Sequence, residues 1–294
     1  MAGGKAEGEG RLVNEIAAAF MAACRDELAA PKPGNVHVFA GGHGMAVRDF
    51  LRSAEAAAPA LSDPSLSTGA RILAAVEATF TAAGMNTNLG IILLCAPLAA
   101  AAEAGEDLHD SLPKTLAGLT RADAAATFRA ILRAAPAGLG AARRHDVRDE
   151  AGVTLLEAMR EAAGRDKIAY QYASDFVDIF ETGLGALADA RVKGWPAPWP
   201  VVSVYLEFLA GFPDSHIARK HGPDAAARVQ GEARDARERY RNTGTPKEAL
   251  RDLLTFDRRL KDSGLNPGTS ADLTVASVFA DRLTRILINR RNDG

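Results

Sequence analysis

The sequence is poor in features that define several protein classes, and each shortage excludes something. Only two cysteines, Cys24 and Cys95, occur in 294 residues, and both lie in apolar stretches without a C-x-x-C pair or a Cys/His cluster nearby. This excludes a disulfide scaffold and a structural zinc site, and two buried, inert thiols fit a reducing compartment. The formal net charge is −2, so charge alone draws the chain to neither nucleic acid nor an anionic membrane.

Long apolar runs and familiar nucleotide-binding motifs are also missing. The longest apolar run extends from about Leu89 to Ala102, short of the roughly 20 residues of a membrane-spanning helix, and therefore predicts a buried helix. The opening stretch "MAGGKAEGEGR" lacks the apolar core of a signal peptide. We therefore predict a cytoplasmic protein that binds neither membrane nor nucleic acid. No G-x-x-x-x-G-K-[ST], strand-linked G-x-G-x-x-G, G-x-S-x-G or H-E-x-x-H motif occurs.

Strand signals are nearly absent as well. Period-2 alternation of β-branched residues is not sustained anywhere, whereas 3.6-residue periodicity recurs, with one long helix predicted over about 165–194. The prolines of "GWPAPWPV" forbid helix there, but the apolar helices on both sides need partners, which argues against a domain boundary. We predict an all-α fold, a single domain over 1–294 with roughly a dozen helices and frayed ends at about 1–10 and 290–294.

Four loops carry more polar residues than helix capping requires. The first is "APKPGNVHVFAGGHGM", residues 30–45. Pro31 and Pro33 fix the backbone around Lys32, and Gly34 lets the chain turn sharply. A lysine held in this way loses less entropy when it binds an anion. Three further hydrogen-bonding side chains follow: Asn35, His37 and His43. A stiff connection with exposed polar residues is an equally good interpretation.

The second loop, "GMNTNLG" at 84–90, leads into the most apolar helix. Its free N–H groups and positive dipole end favour phosphate, although Asn86, Thr87 or Asn88 alternatively serves only as a cap. The third loop is "FPDSHIARKHG" at 212–222. A helix that starts near Asp214 places three side chains on one face: His216, Arg219 and Lys220. The cations suit a polyphosphate and the acid suits a cap or a metal, while a solvated helix start is the alternative.

The fourth loop and the helix predicted after it form the segment "SGLNPGTSADLTVASVFADRL" at 263–283. The residues from Asn266 to Gly268 predict a turn, and Thr269 or Ser270 is predicted to cap the helix that follows. The spacing from Thr269 to Asp272 resembles a capping box with Asp in place of Glu. The apolar stripe that follows would bury Asp272, where a lone carboxylate is costly, so a paired or metal-bound carboxylate is favoured. Together the four loops indicate a nucleotide polyphosphate with Mg²⁺ on an all-α scaffold.

In this order, the four loops resemble the triphosphoribosyl-dephospho-CoA synthase family over about residues 25–285. The motifs that carry the resemblance are "PKPGNVH", "GMNTNLG", "PDSHIARK" and "LNPGTSADLTVASVFA". The resemblance implies an all-α transferase that moves the 5-triphosphoribosyl group of ATP to the 2′-hydroxyl of 3′-dephospho-CoA. Adenine is released, and the product is the precursor of a prosthetic group.

The resemblance also assigns expected roles to residues. Candidate catalytic residues are Asp272, Asp214, His216 and His37. Asp214 and Asp272 are the candidate Mg²⁺ ligands, unless one of them is the general base. Candidate substrate-binding residues are Lys32, Gly34, Asn35, His43, Asn86, Thr87, Asn88, Arg219, Lys220, Asn266, Gly268 and Ser270.

Two motifs depart from the family pattern. Citrate-lyase members carry N-T-H-K-G where this chain has "NTNLG" at 86–90, and G-A-H-x-D-M where "GGHGMA" lacks the acid. The chain therefore resembles a divergent branch from archaea and one-carbon-metabolising bacteria, which leaves the acceptor and a homodimer open. Three alternatives remain: an ATP-using enzyme of pterin- or furan-type one-carbon cofactor synthesis, a ribosyl or nucleotide hydrolase, and a helical binding protein without catalysis.

Overall fold

The regular secondary structure of this protein is helical. The computed structural model describes residues 2–136 and 146–293, and over those residues it contains fourteen α-helices and no strand, which confirms the all-α prediction. The helices are α1 (Ala2–Ala29), α2 (Val47–Leu61), α3 (Thr68–Ala83), α4 (Leu89–Ala102), α5 (Leu108–Ala117), α6 (Arg121–Ala134), α7 (Leu155–Ala162), α8 (Lys167–Ala173), α9 (Leu184–Val192), α10 (Trp199–Gly211), α11 (Ser215–His221), α12 (Pro223–Arg241), α13 (Leu250–Asp262) and α14 (Gly268–Asp293). A π-helical turn spans Asp178–Gly183 and a 3₁₀ turn spans Pro246–Ala249.

Local sequence explains where several helices begin. At α6, Thr120 accepts a hydrogen bond from the backbone of Asp123, and the Asp123 carboxylate accepts one from the backbone of Thr120. Thr154 and Glu157 form the same reciprocal capping box at α7. Such boxes satisfy backbone N–H groups that have no partner within the helix.

Two helices, α4 and α14, occupy the centre of the fold. Thirteen residues of α4 are buried, and α4 packs against α2, α3, α5, α8 and α14. A helix that is apolar on all sides must be covered on all sides, so the predicted buried helix is confirmed. Within the described residues, no helix is long and apolar enough to cross a membrane. Cys24 and Cys95 are free and buried, and burial raises the pKa of both thiols.

The prediction of one helix over 165–194 is wrong. Helix α8 ends at Ala173, Asp175 and Phe176 adopt positive φ values of 50° and 62°, and the chain continues through the π-helical turn into α9. The break buries the Phe176 side chain completely, with its ring centroid 5.5 Å from that of Tyr172. Burial of this aromatic ring thus overrides the local helical pattern.

The proline-rich segment interrupts the helices as predicted. Helix α9 ends at Val192 and α10 begins at Trp199. The two helices pack against each other, and α10 also packs against α12 and α14. The single domain and the frayed chain ends remain predictions.

Candidate functional site

Residues from all four polar loops line one cleft of about 790 Å³, a volume typical of small-molecule sites. The predicted site residues on its wall are Asn35, Asn86, Thr87, His216, Arg219, Asn266, Gly268 and Asp272. The other predicted residues are absent from the described lining: Lys32, Gly34, His37, His43, Asn88, Asp214, Lys220 and Ser270. The loops therefore converge in space, but only half of the proposed set faces the cleft.

Asp272 is one of the carboxylates that line the cleft. It lies in the second turn of α14, half-buried, and no hydrogen bond to its carboxylate occurs among the described residues. Burial raises the pKa of Asp272 well above its usual range, and the carboxylates of Asp214, Glu27 and Asp166 raise it further. An unpartnered carboxylate among other acids is a place where a proton or a cation is favoured.

A glycine makes room for this carboxylate at the start of α4. A Cβ atom at Gly90 would lie 2.0 Å from Asp272 Oδ2, far inside van der Waals contact. Only a residue without a side chain lets Asp272 approach the first turn of α4 this closely. Because α14 begins at Gly268, Thr269 to Asp272 lie within the helix, and the alternative that they form a capping box is wrong.

Asp214 has a structural position instead. Its Oδ1 accepts hydrogen bonds from the backbone of His216 (2.9 Å) and Ile217 (3.2 Å). Its Oδ2 accepts two more, both 2.8 Å long, from the backbone and hydroxyl of Ser270. Burial raises the pKa of Asp214, and these donors oppose the shift. Its oxygens are committed to joining the starts of α11 and α14, which corrects the expectation that Asp214 binds metal or acts in catalysis.

Lys32 also differs from the expectation. Its side chain is fully buried, and its Nζ lies 2.6 Å from Glu27 Oε1. The same ammonium group donates to the carbonyl of Val36 (2.6 Å) and to Asn35 Oδ1 (3.4 Å). A lysine has three N–H donors, so none remains for a phosphate, and Lys32 is corrected to a buried partner of Glu27, which itself lines the cleft.

The remaining loop residues lie behind the cleft wall. His37 is buried with its Nε2 3.3 Å from Asp257 Oδ2, and burial lowers its pKa. Asp257 Oδ1 accepts a hydrogen bond from the backbone of Gly34 (2.8 Å), and the Gly34 carbonyl lies 2.9 Å from His43 Nε2. These contacts fasten the first loop to α13, and they place His37 away from the cleft that the structure describes.

Amide side chains tie the loops together at the cleft. Asn35 Nδ2 donates to Asn266 Oδ1 at 2.8 Å, which joins the first loop to the fourth. Asn86 Oδ1 accepts from the backbone of Leu89 at 3.2 Å, so it caps α4 as well as lining the cleft. Asn88 is buried, and its Nδ2 has no hydrogen-bond partner among the described residues.

His216 packs directly against the start of α14. A Cβ atom at Gly268 would lie 2.5 Å from His216 Nδ1, so a glycine is required there. Burial lowers the pKa of His216 to about 4, and Arg219 and Lys220 contribute to the shift. The ring is therefore neutral at pH 7. Arg219 reaches Asp166 Oδ2 at 3.0 Å, whereas Lys220 is exposed outside the cleft.

We expect the low pKa of His216 to appear in the pH dependence of stability. The unfolded chain binds a proton at this side chain near pH 6.5 and the folded chain only near pH 4, so stability is complete above pH 6.5 and falls as the pH drops towards 4. His216→Gln should remove about 2 kcal/mol of the difference in free energy of unfolding between pH 7 and pH 4. Urea titrations across this range measure it. The exposed neighbour variant His221→Gln is the control, and an identical pH slope in His216→Gln would contradict the assignment.

Sequence reasoning missed the apolar wall and three acids. The wall comes from α6, α7 and α8 and includes Phe128, Ile131, Leu155, Met159 and Ile168. The acids are Glu27, at the end of α1, Asp146, between α6 and α7, and Asp166, which caps α8. The apolar face of a helix has the same sequence pattern whether it lines a cleft or packs into the core. Glu27 stands before the polar motif, so the missed signal was its five-residue spacing from Lys32.

A metal site made by protein alone does not occur in the described part of the chain. No group of three or more His, Cys, Asp or Glu side chains there is arranged to hold a metal ion. Mg²⁺ commonly binds through one or two carboxylates together with phosphate oxygens. Asp272, with no hydrogen-bond partner among the described residues, fits that second arrangement.

The fold and the cleft define a helical protein whose candidate site combines carboxylates, amides and the N-terminal ends of helices. A family model described as CitG: ATP:dephospho-CoA triphosphoribosyl transferase matches residues 13–291. The chain therefore belongs to this family.

Two individual proteins are similar to this chain, one over about a third of its length and the other over most of it. A protein of Albidiferax ferrireducens named "probable 2-(5''-triphosphoribosyl)-3'-dephosphocoenzyme-A synthase" is 32% identical over 100 residues, which cover 33% of this chain and 32% of that protein. The match thus spans about a third of that relative's length. A crystal structure from Archaeoglobus fulgidus, whose own assignment as a triphosphoribosyl-dephospho-CoA synthase is provisional, superimposes with a TM-score of 0.62 at 25% identity. That superposition covers 78% of this chain and 96% of the other.

Proposed function

We propose that this protein transfers the 5-triphosphoribosyl group of ATP to the 2′-hydroxyl of 3′-dephospho-CoA and releases adenine. Membership of the family supports the reaction class. The structural observation that carries the proposal is the meeting of Asp272 with the first turn of α4 in a cleft lined by all four loops. Nothing in the site favours the one-carbon cofactor alternative.

The triphosphate has a suitable place at the polar end of the cleft. Gly90 and Ile91 in the first turn of α4, and Gly268 and Thr269 in that of α14, line the cleft. The first turn of α4 presents backbone N–H groups and the positive end of its helix dipole, both of which favour phosphate. At α14 the backbone N–H groups of Gly268 and Ser270 already donate to Asn266 and Asp214, so α14 contributes through its dipole. Arg219 adds a cation at the rim. These groups would bind the triphosphate without breaking its phosphate bonds.

Mg²⁺ is part of the proposal. Asp272 is the residue that would hold it, together with oxygens of the triphosphate. When bound, the ion offsets the negative charge of the polyphosphate and of the acids around Asp272. This assignment takes the place of the pair Asp214 and Asp272, because Asp214 already accepts four hydrogen bonds.

The apolar wall suits the parts of the substrates that carry no charge. Aromatic and aliphatic side chains on α6 to α8 offer a surface for the adenine ring and for the pantetheine arm of the acceptor. At the boundary between the wall and the polar end, the anomeric carbon of ATP would meet the attacking hydroxyl. The C1′–N9 bond breaks with positive charge on the ribose, as in glycoside cleavage, and the new C1′–O bond forms.

The proposal also covers the role of His216 and the cellular location of the protein. His216, neutral at pH 7, is available as a hydrogen-bonding group rather than as an imidazolium acid. Two buried, free thiols agree with a cytoplasmic location.

An assay of adenine release tests the proposal. Purified protein with Mg-ATP should release adenine when 3′-dephospho-CoA is present, and the rate should collapse when the acceptor lacks the 2′-hydroxyl. Coenzyme A, whose 3′-phosphate crowds the 2′-hydroxyl, is the matched control acceptor. Equal adenine release without any acceptor would show a hydrolase, and an unchanged amount of ATP with every acceptor would contradict transferase activity.

A further inference from the structure

A buried ion pair stands directly behind the cleft wall. Glu27, in the last turn of α1, is 4% exposed and lines the cleft, whereas Lys32 is fully buried behind it. Their charged atoms are 2.6 Å apart. A buried ion pair is weak evidence for a role in stability, because well-packed apolar residues in its place are often as stable. Stability alone therefore does not explain why a buried ion pair stands here with one member, Glu27, facing the cleft.

The loop geometry fixes the lysine rather than freeing it. Pro31 and Pro33 restrict the backbone on both sides of Lys32, and the carbonyl of Pro33 accepts a 2.6 Å hydrogen bond from the hydroxyl of Tyr205. The ammonium group has a second acceptor in the carbonyl of Val36. The rigid Pro-Lys-Pro segment thus places one positive charge against Glu27 and keeps it there.

We propose that Glu27 is the carboxylate that takes the proton from the attacking 2′-hydroxyl, and that Lys32 positions Glu27 through their buried ion pair. This inference rests on the proposed function. Asp272 contributes to the same cleft as the residue that would hold Mg²⁺, so a second carboxylate is needed for proton transfer.

The proton and the bonding electrons have defined destinations. As the hydroxyl oxygen forms the bond to C1′ of the ribose, its proton moves to Glu27. The electron pair of the C1′–N9 bond leaves with adenine, which then takes a proton from water. Glu27 returns its own proton to water after the product leaves, so the enzyme ends each cycle unchanged.

Two opposing effects set the acidity of Glu27. Burial raises its pKa, and Lys32 lowers it again. The other titratable or charged groups around the pair are Cys24 on the same helix, His37 in the first loop, Tyr205 on α10, Asp257 and Lys261 on α13, and Asp272 on α14. Loss of Lys32 would therefore raise the pKa of Glu27, and ionised Glu27 would be available only at higher pH.

Three variants test the inference in the adenine assay with 3′-dephospho-CoA. Glu27→Gln should lower the turnover rate by about 10²-fold or more while Mg-ATP affinity stays within about threefold, because an amide cannot accept the proton. Lys32→Met should move the acid limb of the pH–rate profile to higher pH. The double variant Glu27→Leu/Lys32→Met should fold, because both charges are removed together, yet release no adenine. Lys114→Met, which removes an exposed lysine paired with Glu106 at 2.8 Å outside the described cleft lining, is the control and should keep the wild-type profile.

The outcomes separate this inference from the proposed function. Wild-type rates in the double variant, or an unshifted acid limb in Lys32→Met, would overturn the inference while the transferase activity stands. A double variant that fails to fold leaves the decision to the pH profile of Lys32→Met. A wild-type protein that releases no adenine would overturn the proposed function, and the inference falls with it.

Discussion

Replacing Asp272 with asparagine is expected to lower the rate of adenine release by about 10²-fold or more without unfolding the protein. Asparagine keeps the shape of the side chain against Gly90 but loses the charge that would hold Mg²⁺. No described residue donates a hydrogen bond to the carboxylate, and neighbouring acids raise its pKa. The substitution therefore removes no stabilising contact, and the melting temperature should stay the same or rise.

The matched control lies on the same helix. Asp281 on α14 forms an ion pair with Arg191 at 2.6 Å and is absent from the described cleft lining. Asp281→Asn removes a carboxylate of equal charge, loses about 1 kcal/mol or less of stability, and should keep wild-type turnover. Near-wild-type adenine release from a folded Asp272→Asn protein would remove Asp272 from the site.

Replacing Asp214 with alanine is expected to have the opposite pattern, with a large loss of stability. The substitution leaves three donors without their acceptor: the backbone N–H groups of Ile217 and Ser270, and the Ser270 hydroxyl. The backbone N–H of His216 keeps only its 3.2 Å hydrogen bond to Thr269 Oγ1. These groups are buried or half-buried between α11 and α14, so we expect a loss of about 3–5 kcal/mol in the free energy of unfolding. Denaturant titration measures it.

An exposed cap provides the comparison for Asp214. Asp107 caps α5 through one hydrogen bond, 2.9 Å long, from the backbone of His109, and Asp107→Ala should cost only about 1 kcal/mol. Equal losses for the two variants would contradict the structural role of Asp214. Loss of Mg-ATP binding in a fully stable Asp214→Ala protein would return Asp214 to the site.

The fold and the meeting of the loops could be predicted because both follow from local patterns. Helical periodicity and the absence of strand signals predict the all-α class. Each polar loop exceeds what caps and turns require, which marks Asn86, His216, Asn266 and Asp272 as site candidates. The order of the four loops indicates the family, and the structure brings all four to one cleft.

Which charged residues face the cleft and which hold the fold together could not be predicted from sequence. Whether Lys32 faces solvent or a buried acid depends on the end of α1 packing beneath the loop. Whether Asp214 is free depends on Ser270, 56 positions further along the chain. The capping pattern at Thr269 fails because α14 already begins at Gly268, and the backbone N–H of Ser270 donates to the distant Asp214. Such outcomes depend on contacts between distant segments, and a local pattern does not contain them.

The identity of the product made from Mg-ATP and 3′-dephospho-CoA tests the central claim most directly. Mass spectrometry and NMR of the purified product should show dephospho-CoA enlarged by one ribose with an intact triphosphate, linked through the 2′-oxygen, with one adenine released per product. A product that contains adenylate or a single phosphate, or free ribose triphosphate beside unchanged dephospho-CoA, would contradict the transfer of the triphosphoribosyl group in this cleft.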